Sequence, residues 1–148
     1  MTVTLRPARP EDLGPVEALL TSAGLPLQGV ARHLPAFLVA EHEGAIVGAA
    51  GLEVYATGAL LRSVVIAPAR KGQGLGAKLI HRLVQKAEAE GIGTVFLLTT
   101  TAEDYFPRFG FTRIERANLP PEFQASEELR GACPASAVVM RRTAPPVG

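Results

Sequence analysis

Cysteine is nearly absent from this 148-residue chain, with Cys133 the only one. An internal disulfide and any multi-cysteine metal site are therefore excluded. Cys133 has no histidine near it in sequence, so it reads as a small buried hydrophobe rather than a nucleophile. The histidines His33, His42 and His81 are too scattered to suggest a metal site by spacing. Charge of one sign is also lacking. Lys plus Arg number 15 against 14 Asp plus Glu, a net charge of +1, and so weak a field gives no reason to expect a nucleic-acid partner. Long hydrophobic runs are missing too: Leu60–Leu61 and Val64–Ala67 are interrupted by Arg62 and Ser63, far short of a membrane span. The first residues show no charged stretch leading into an apolar one, so no export signal is read and the cytoplasm is the expected location.

What is present is ordinary globular composition, 47% apolar and 20% charged, enough to expect one folded domain over residues 1–148. Thr2 to Arg6 alternates like a strand, and Pro10 suits the first turn of a helix that runs to Gly24 with Val16, Leu19 and Leu20 on one face. A short second helix is expected over Leu27 to Leu34. Ala36–Glu41 and Ala45–Val54 read as a hairpin, and a second turn through Tyr55 to Gly58 leads into a strand over Ala59–Ala67 that Pro68 stops. The clearest helix follows, with Leu75, Leu79, Ile80, Leu83, Val84 and Ala87 on one face and Gly91 at its end. Thr94–Thr99 reads as a buried strand, Ala102–Phe109 as a short helix capped by Thr100 or Thr101, and Phe111–Arg116 and Ala135–Arg141 as strands. Residues 143–148 are expected to fray. The fold class is α/β, a mixed sheet flanked by helices.

The segment Arg70-Lys71-Gly72-Gln73-Gly74-Leu75-Gly76 joins a strand to a helix N-terminus. Glycine lets backbone approach a ligand there, and unpaired N–H groups point outward, so the loop suits a phosphate or pyrophosphate. It matches neither GxxxxGK[ST] nor the G-x-G-x-x-G spacing, which sets aside the two most familiar phosphate loops. The other reading is a tight connection with no ligand.

Ser63-Val-Val-Ile-Ala-Pro68 followed by Lys71-x-x-Gly74-x-Gly76, with Ala102 to Phe111 as a second signature, resembles the GNAT superfamily of acetyltransferases. The resemblance covers most of the chain. It implies a GNAT-like mixed sheet with acetyl-CoA as co-substrate. Backbone at Val64, Val65 and Ile66 would hold the pantetheine arm, and amides of Lys71, Gly72, Gln73, Gly74, Leu75 and Gly76 the pyrophosphate. Two positions depart from the family pattern. Phe106 stands where many relatives place a tyrosine acid, leaving either neighbouring Tyr105 or solvent to protonate the thiolate. Leu60 stands where many carry a glutamate base.

A turn centred between Ala56 and Thr57 puts Glu53 opposite Leu60, which makes Glu53 the candidate base for an amine attacking the thioester directly. Arg62 shares that face and suits a substrate carboxylate. Ser63 points away in a regular strand, although a bulge would bring it to the same site.

A narrower likeness joins Leu61-Arg62-Ser63, Leu98-Thr-Thr-Thr-Ala102, Arg108-Phe-Gly-Phe111, Pro120-Pro121-Glu122 and Cys133-Pro-x-Ser136. Together these are similar to the GNAT branch encoded with arsenic-resistance genes, itself similar to N-acetylglutamate synthase-type enzymes. The implied partner is a small amine or amino-acid-like substrate, and a homodimer is compatible with the resemblance. The competing class is a GNAT-like module that binds acyl-CoA or regulates a partner without turnover.

Overall fold

β1 (Thr4–Pro7) pairs antiparallel with β2 (Phe37–His42), which turns through Glu43 and Gly44 into β3 (Ala45–Tyr55). Both turn residues have positive φ, 51° and 78°, as a two-residue hairpin matching the sheet twist requires. β3 pairs antiparallel with β4 (Gly58–Ile66), and β4 runs parallel to β5 (Thr94–Thr99). β7 (Val138–Thr143) lies antiparallel between β5 and β6 (Thr112–Ile114), giving the sheet order β1-β2-β3-β4-β5-β7-β6. This computed structural model describes residues 3–100, 102–125 and 137–144.

Helices cover both faces of the sheet. α1 (Leu13–Ser22) and α2 (Val30–His33) bury Val16, Leu20 and Val30 against Phe37, Val39, Ala49 and Val65. On the other face α3 (Leu75–Ala89) buries the six apolar residues its periodicity marked, Leu79, Ile80, Leu83, Val84 and Ala87 against Leu38, Leu52, Leu61 and Leu97, and Leu75 against Ala40 and Val47. Each Val, Leu, Ile or Phe among them is worth about 1.5–3 kcal/mol when fully buried.

Two irregularities in β4 shape the molecule. Ala49 pairs with Val65 but Gly51 with Arg62, so β4 carries one extra residue, and Ser63 sits there with φ 59°. Leu61 and Val65 are four apart and would share a face in a regular strand. Instead Leu61 packs towards α3 and Val65 towards α1, because the bulge reverses the alternation. The second irregularity is that β4 and β5 are in register only at Ala59–Leu60 against Val95–Phe96. Beyond those pairs the strands splay.

Several expected elements are shorter or shifted. The helix expected over Leu27–Leu34 is one α turn, started at Gly29 (φ 82°) and ended by a 3-10 turn, Leu34–Ala36, that contains Pro35. Ala102–Phe109 is a turn and a 3-10 helix, Phe106–Phe109, rather than an α-helix, since Pro107 cannot donate within it. Thr99, rather than Thr100, caps this segment, its Oγ1 accepting from Ala102 N at 2.9 Å, while Thr101 lies outside the described residues. The strand expected over Phe111–Arg116 is confined to Thr112–Ile114, and Arg116–Asn118 forms a 3-10 turn. The last strand runs later than Ala135–Arg141. Thr143, expected in a frayed tail, pairs with Thr94, and Ala144 N donates to Gly93 O at 2.8 Å. Thr2, Cys133, residues 135–136 and the remaining tail, 145–148, lie outside the described residues.

Candidate active site

The loop after β4 is built from backbone. A 3-10 turn, Pro68–Arg70, leads to Gly72 and Gly74 at φ 83° and 78°, and Gly74 is the N-cap of α3. The first helical bond described there runs from Lys78 N to Gly74 O at 3.1 Å. Amides at Leu75, Gly76 and Ala77 therefore have no partner within the helix. A Cβ at Gly72 or Gly74 would meet nothing within 4 Å, so both residues face open space. That space is a cleft of about 540 Å³ running from Val64 and Ile66 past the loop, with Arg70, Lys71 and Arg108 on its edge. Bare amides, a long helix's N-terminus and cations suit a pyrophosphate, and the exposed ends of Val64 and Ile66 suit an extended apolar arm.

Tyr105 belongs to this cleft. Its hydroxyl lies 3.5 Å from where a Cβ on Gly76 would stand, and Arg108 stacks 4.5 Å over its ring while donating from Nε to Tyr105 O at 2.8 Å. Phe106 instead lines a second cavity, of about 190 Å³, between the splayed strands. Arg62, Ser63 and Val64 form its β4 wall, Leu97, Leu98 and Thr99 its β5 wall, and Pro26 comes from the segment between α1 and α2.

Behind this cavity lies a polar seam. The predicted register holds, with Glu53 opposite Leu60, and places Glu53 and Arg62 as diagonal neighbours on one face. Arg62 Nη1 donates to Glu53 Oε2 at 2.6 Å, and both side chains are fully buried. Tyr55 Oη donates to Glu53 Oε1 at 2.6 Å, and His33 Nε2 lies 3.9 Å from the same oxygen. Arg62 also donates from Nε to Ser63 Oγ at 2.9 Å and from Nη2 to Pro26 O at 3.4 Å. The structure thus unites Glu53, Arg62 and Ser63 and sets Tyr105 with the loop. Sequence reasoning missed Tyr55 and His33. Tyr55 had a signal, being two residues from Glu53 on the same face, whereas His33 arrives from α2 and had none.

Residues 33–113 match the acetyltransferase (GNAT) domain family, and the chain belongs to that family. An amino-acid acetyltransferase of Ralstonia nicotianae is 31% identical over 127 residues, covering 80% of this chain and 28% of the relative. The chain thus spans less than a third of that relative's length. The N-acetylglutamate synthase of Neisseria gonorrhoeae, solved with coenzyme A and N-acetyl-glutamate, superposes with a TM-score of 0.84 at 23% identity, over 99% of this chain and 36% of that one. A Mycobacterium tuberculosis protein solved in complex with CoA has a TM-score of 0.77 at 25% identity, over 95% of this chain and 98% of its own. Among the described residues no helix is long and apolar enough to cross a membrane, and no group of three or more His, Cys, Asp or Glu is arranged to hold a metal.

Proposed function

We propose that the protein is an acetyl-CoA-dependent N-acetyltransferase that passes acetyl directly to the amine of a small amino-acid-like substrate. One observation carries this reading. The bulge at Ser63 and the short β4–β5 pairing join a backbone-lined phosphate cleft to a small cavity walled by hydroxyls and a guanidinium, with Val64 bordering both. The loop amides hold the pyrophosphate and β4 the pantetheine arm. Bound acetyl-CoA supplies the activated acyl group.

Glu53 has Arg62 and Tyr55 as close partners, so it acts through them rather than by touching the amine. Arg62 lines the cavity and remains the group best suited to sense a substrate carboxylate. Cys133 lies outside the described residues, and direct transfer does not require it. The finer assignment, an amino-acid acetyltransferase of the arsenic-resistance branch, is supported by the narrow motif likeness. A single cysteine disfavours thiolate chelation of an arsenical. Any arsenic link would then run through acetylation of an amino-acid-like compound.

The test is release of CoA from acetyl-CoA over a panel of amines with and without an α-carboxylate. Turnover of carboxylated amines supports the reading. A second reading, an acyl-CoA-binding module without turnover, is favoured by Leu60 and Phe106, buried apolar residues at the two usual catalytic positions. CoA binding with no release of CoA from any amine would select it.

A further inference from the structure

The usual tyrosine position is Phe106, and Tyr105 points to the phosphate end, so the acetyl-side cavity needs another donor. Two hydroxyls line it, Ser63 and Thr99. Thr99 Oγ1 accepts from the backbone N–H of Ala102, a neutral cap. Ser63 Oγ accepts from the Nε–H of a permanently charged and buried guanidinium at 2.9 Å, and among the described residues its own proton has no acceptor. A hydroxyl that accepts from a cation becomes a stronger donor. Ser63 also holds φ 59°, a conformation that costs a non-glycine residue on the order of 1–3 kcal/mol and must be imposed by its surroundings. The bulge that imposes it brings both Arg62 and Ser63 to the cavity wall.

We propose that Ser63 donates a hydrogen bond to the reacting thioester, and that Arg62, fixed by Glu53, is the positioning residue that aims it. The proposal rests on the acetyltransferase reading. As the amine nitrogen bonds to the carbonyl carbon, the carbonyl π pair moves to oxygen. It returns as the C–S bond breaks, and that bonding pair leaves on sulfur. Ser63 Oγ–H donates to this developing charge and keeps its proton throughout. The proton lost by the amine passes to water, and water protonates the sulfur.

The experiment compares wild type, Ser63→Gly and Ser63→Ala, measuring CoA binding by calorimetry and CoA release with acetyl-CoA plus L-glutamate and with acetyl-CoA alone. Glycine adopts φ 59° freely, so Ser63→Gly keeps the bulge while deleting the hydroxyl. Its expected result is a kcat about a hundredfold lower, the size of losing one transition-state donor, with CoA affinity within about twofold of wild type. Arg62→Lys should lower kcat in the wild-type background and have little further effect on the kcat of Ser63→Gly, because the arginine acts on turnover through the hydroxyl, whereas any loss of its grip on a substrate carboxylate falls on KM in both backgrounds. A merely structural Arg62 would give independent, additive losses and overturn the positioning role. A Ser63→Gly protein with wild-type kcat would overturn the donor role while leaving the acetyltransferase reading intact. If wild type itself bound no CoA, the broader reading would fail first.

Discussion

Val64 borders two cavities whose walls differ in kind. The larger, beside α3, is edged by glycine backbone and cations, and the smaller, between β4 and β5, by the buried Arg62 guanidinium and two hydroxyls. In the first, the proposed recognition would rest on N–H groups that almost any side chain leaves in place, provided the glycines keep their left-handed conformation. In the second, Glu53, Arg62, Tyr55 and Ser63 hold one another side chain to side chain, so one deletion strips a neighbour of a hydrogen bond. The loop should tolerate changes of charge and fail on loss of glycine. The seam should fail on loss of a charged side chain.

The largest effect expected is on the seam. Arg62→Ala leaves the Glu53 carboxylate buried beside Tyr55 without its cation, which should cost about 3–5 kcal/mol in urea unfolding. Replacing both partners with apolar residues of similar volume, Glu53→Leu with Arg62→Met, should recover most of that stability and none of the turnover. A single variant within about 1 kcal/mol of wild type would mean that the pair is not a structural unit.

A second buried carboxylate, Asp12, sharpens the comparison, because it lines neither cavity. Arg6 donates from Nη1 to Asp12 Oδ2 and from Nη2 to Glu41 Oε2, each at 2.7 Å, and Arg9 N donates to Asp12 Oδ2 at 2.7 Å. The hydrogen bond from Arg6 is the main reason that the Asp12 carboxyl titrates below the usual carboxylate range, despite an opposing cost of burial. Stability from this group is present above its unfolded pKa, about 3.9, and lost as pH falls through the depressed folded value. Asp12→Asn should cost about 1–3 kcal/mol near neutral pH and flatten the acid limb of stability below pH about 4, leaving CoA affinity unchanged. Denaturant midpoints from pH 6 to pH 2 measure it, and an acid limb as steep as wild type's would refute it.

The contrast between backbone and side-chain construction also explains what the sequence disclosed. Glycine and proline punctuation located the loop, the Thr94–Thr99 strand and α3, because those residues constrain the chain locally. The Glu53–Leu60 register followed from the turn between them. The Glu53–Arg62 pair did not emerge, since Arg62 was read against Leu60 on its own strand rather than across the ladder to its diagonal neighbour. Thr99 was taken as the end of a strand, and its second role as a cap depends on a turn whose helix Pro107 shortens.

On the loop side the expected effects are smaller and fall on binding. Gly74→Val places a β-branched residue at φ 78° with its Cβ in the open cleft, so CoA affinity should drop by at least about tenfold in a protein that still folds. Calorimetric titration with CoA reads it directly, and an unchanged affinity would remove the loop from the binding site.

Lys71→Ala should have the smallest effect, and for that reason it tests the backbone account most closely. Lys71 is exposed at the cleft edge and its ammonium is hydrated, so its attraction to a phosphate is that of a surface charge, about 0.2–1 kcal/mol. At low salt the variant should bind CoA at most about fivefold more weakly, taking 1.4 kcal/mol per decade. At 1 M salt the Debye length is about 3 Å, and the difference between variant and wild type should nearly vanish. The amides of Leu75, Gly76 and Ala77 are unaffected by the substitution, so most of the affinity should persist in both conditions. A loss of about a hundredfold that survived high salt would mean that the Lys71 side chain holds the phosphate directly. The division between a backbone-built cleft and a side-chain-built seam would then fail at the residue where it is easiest to measure.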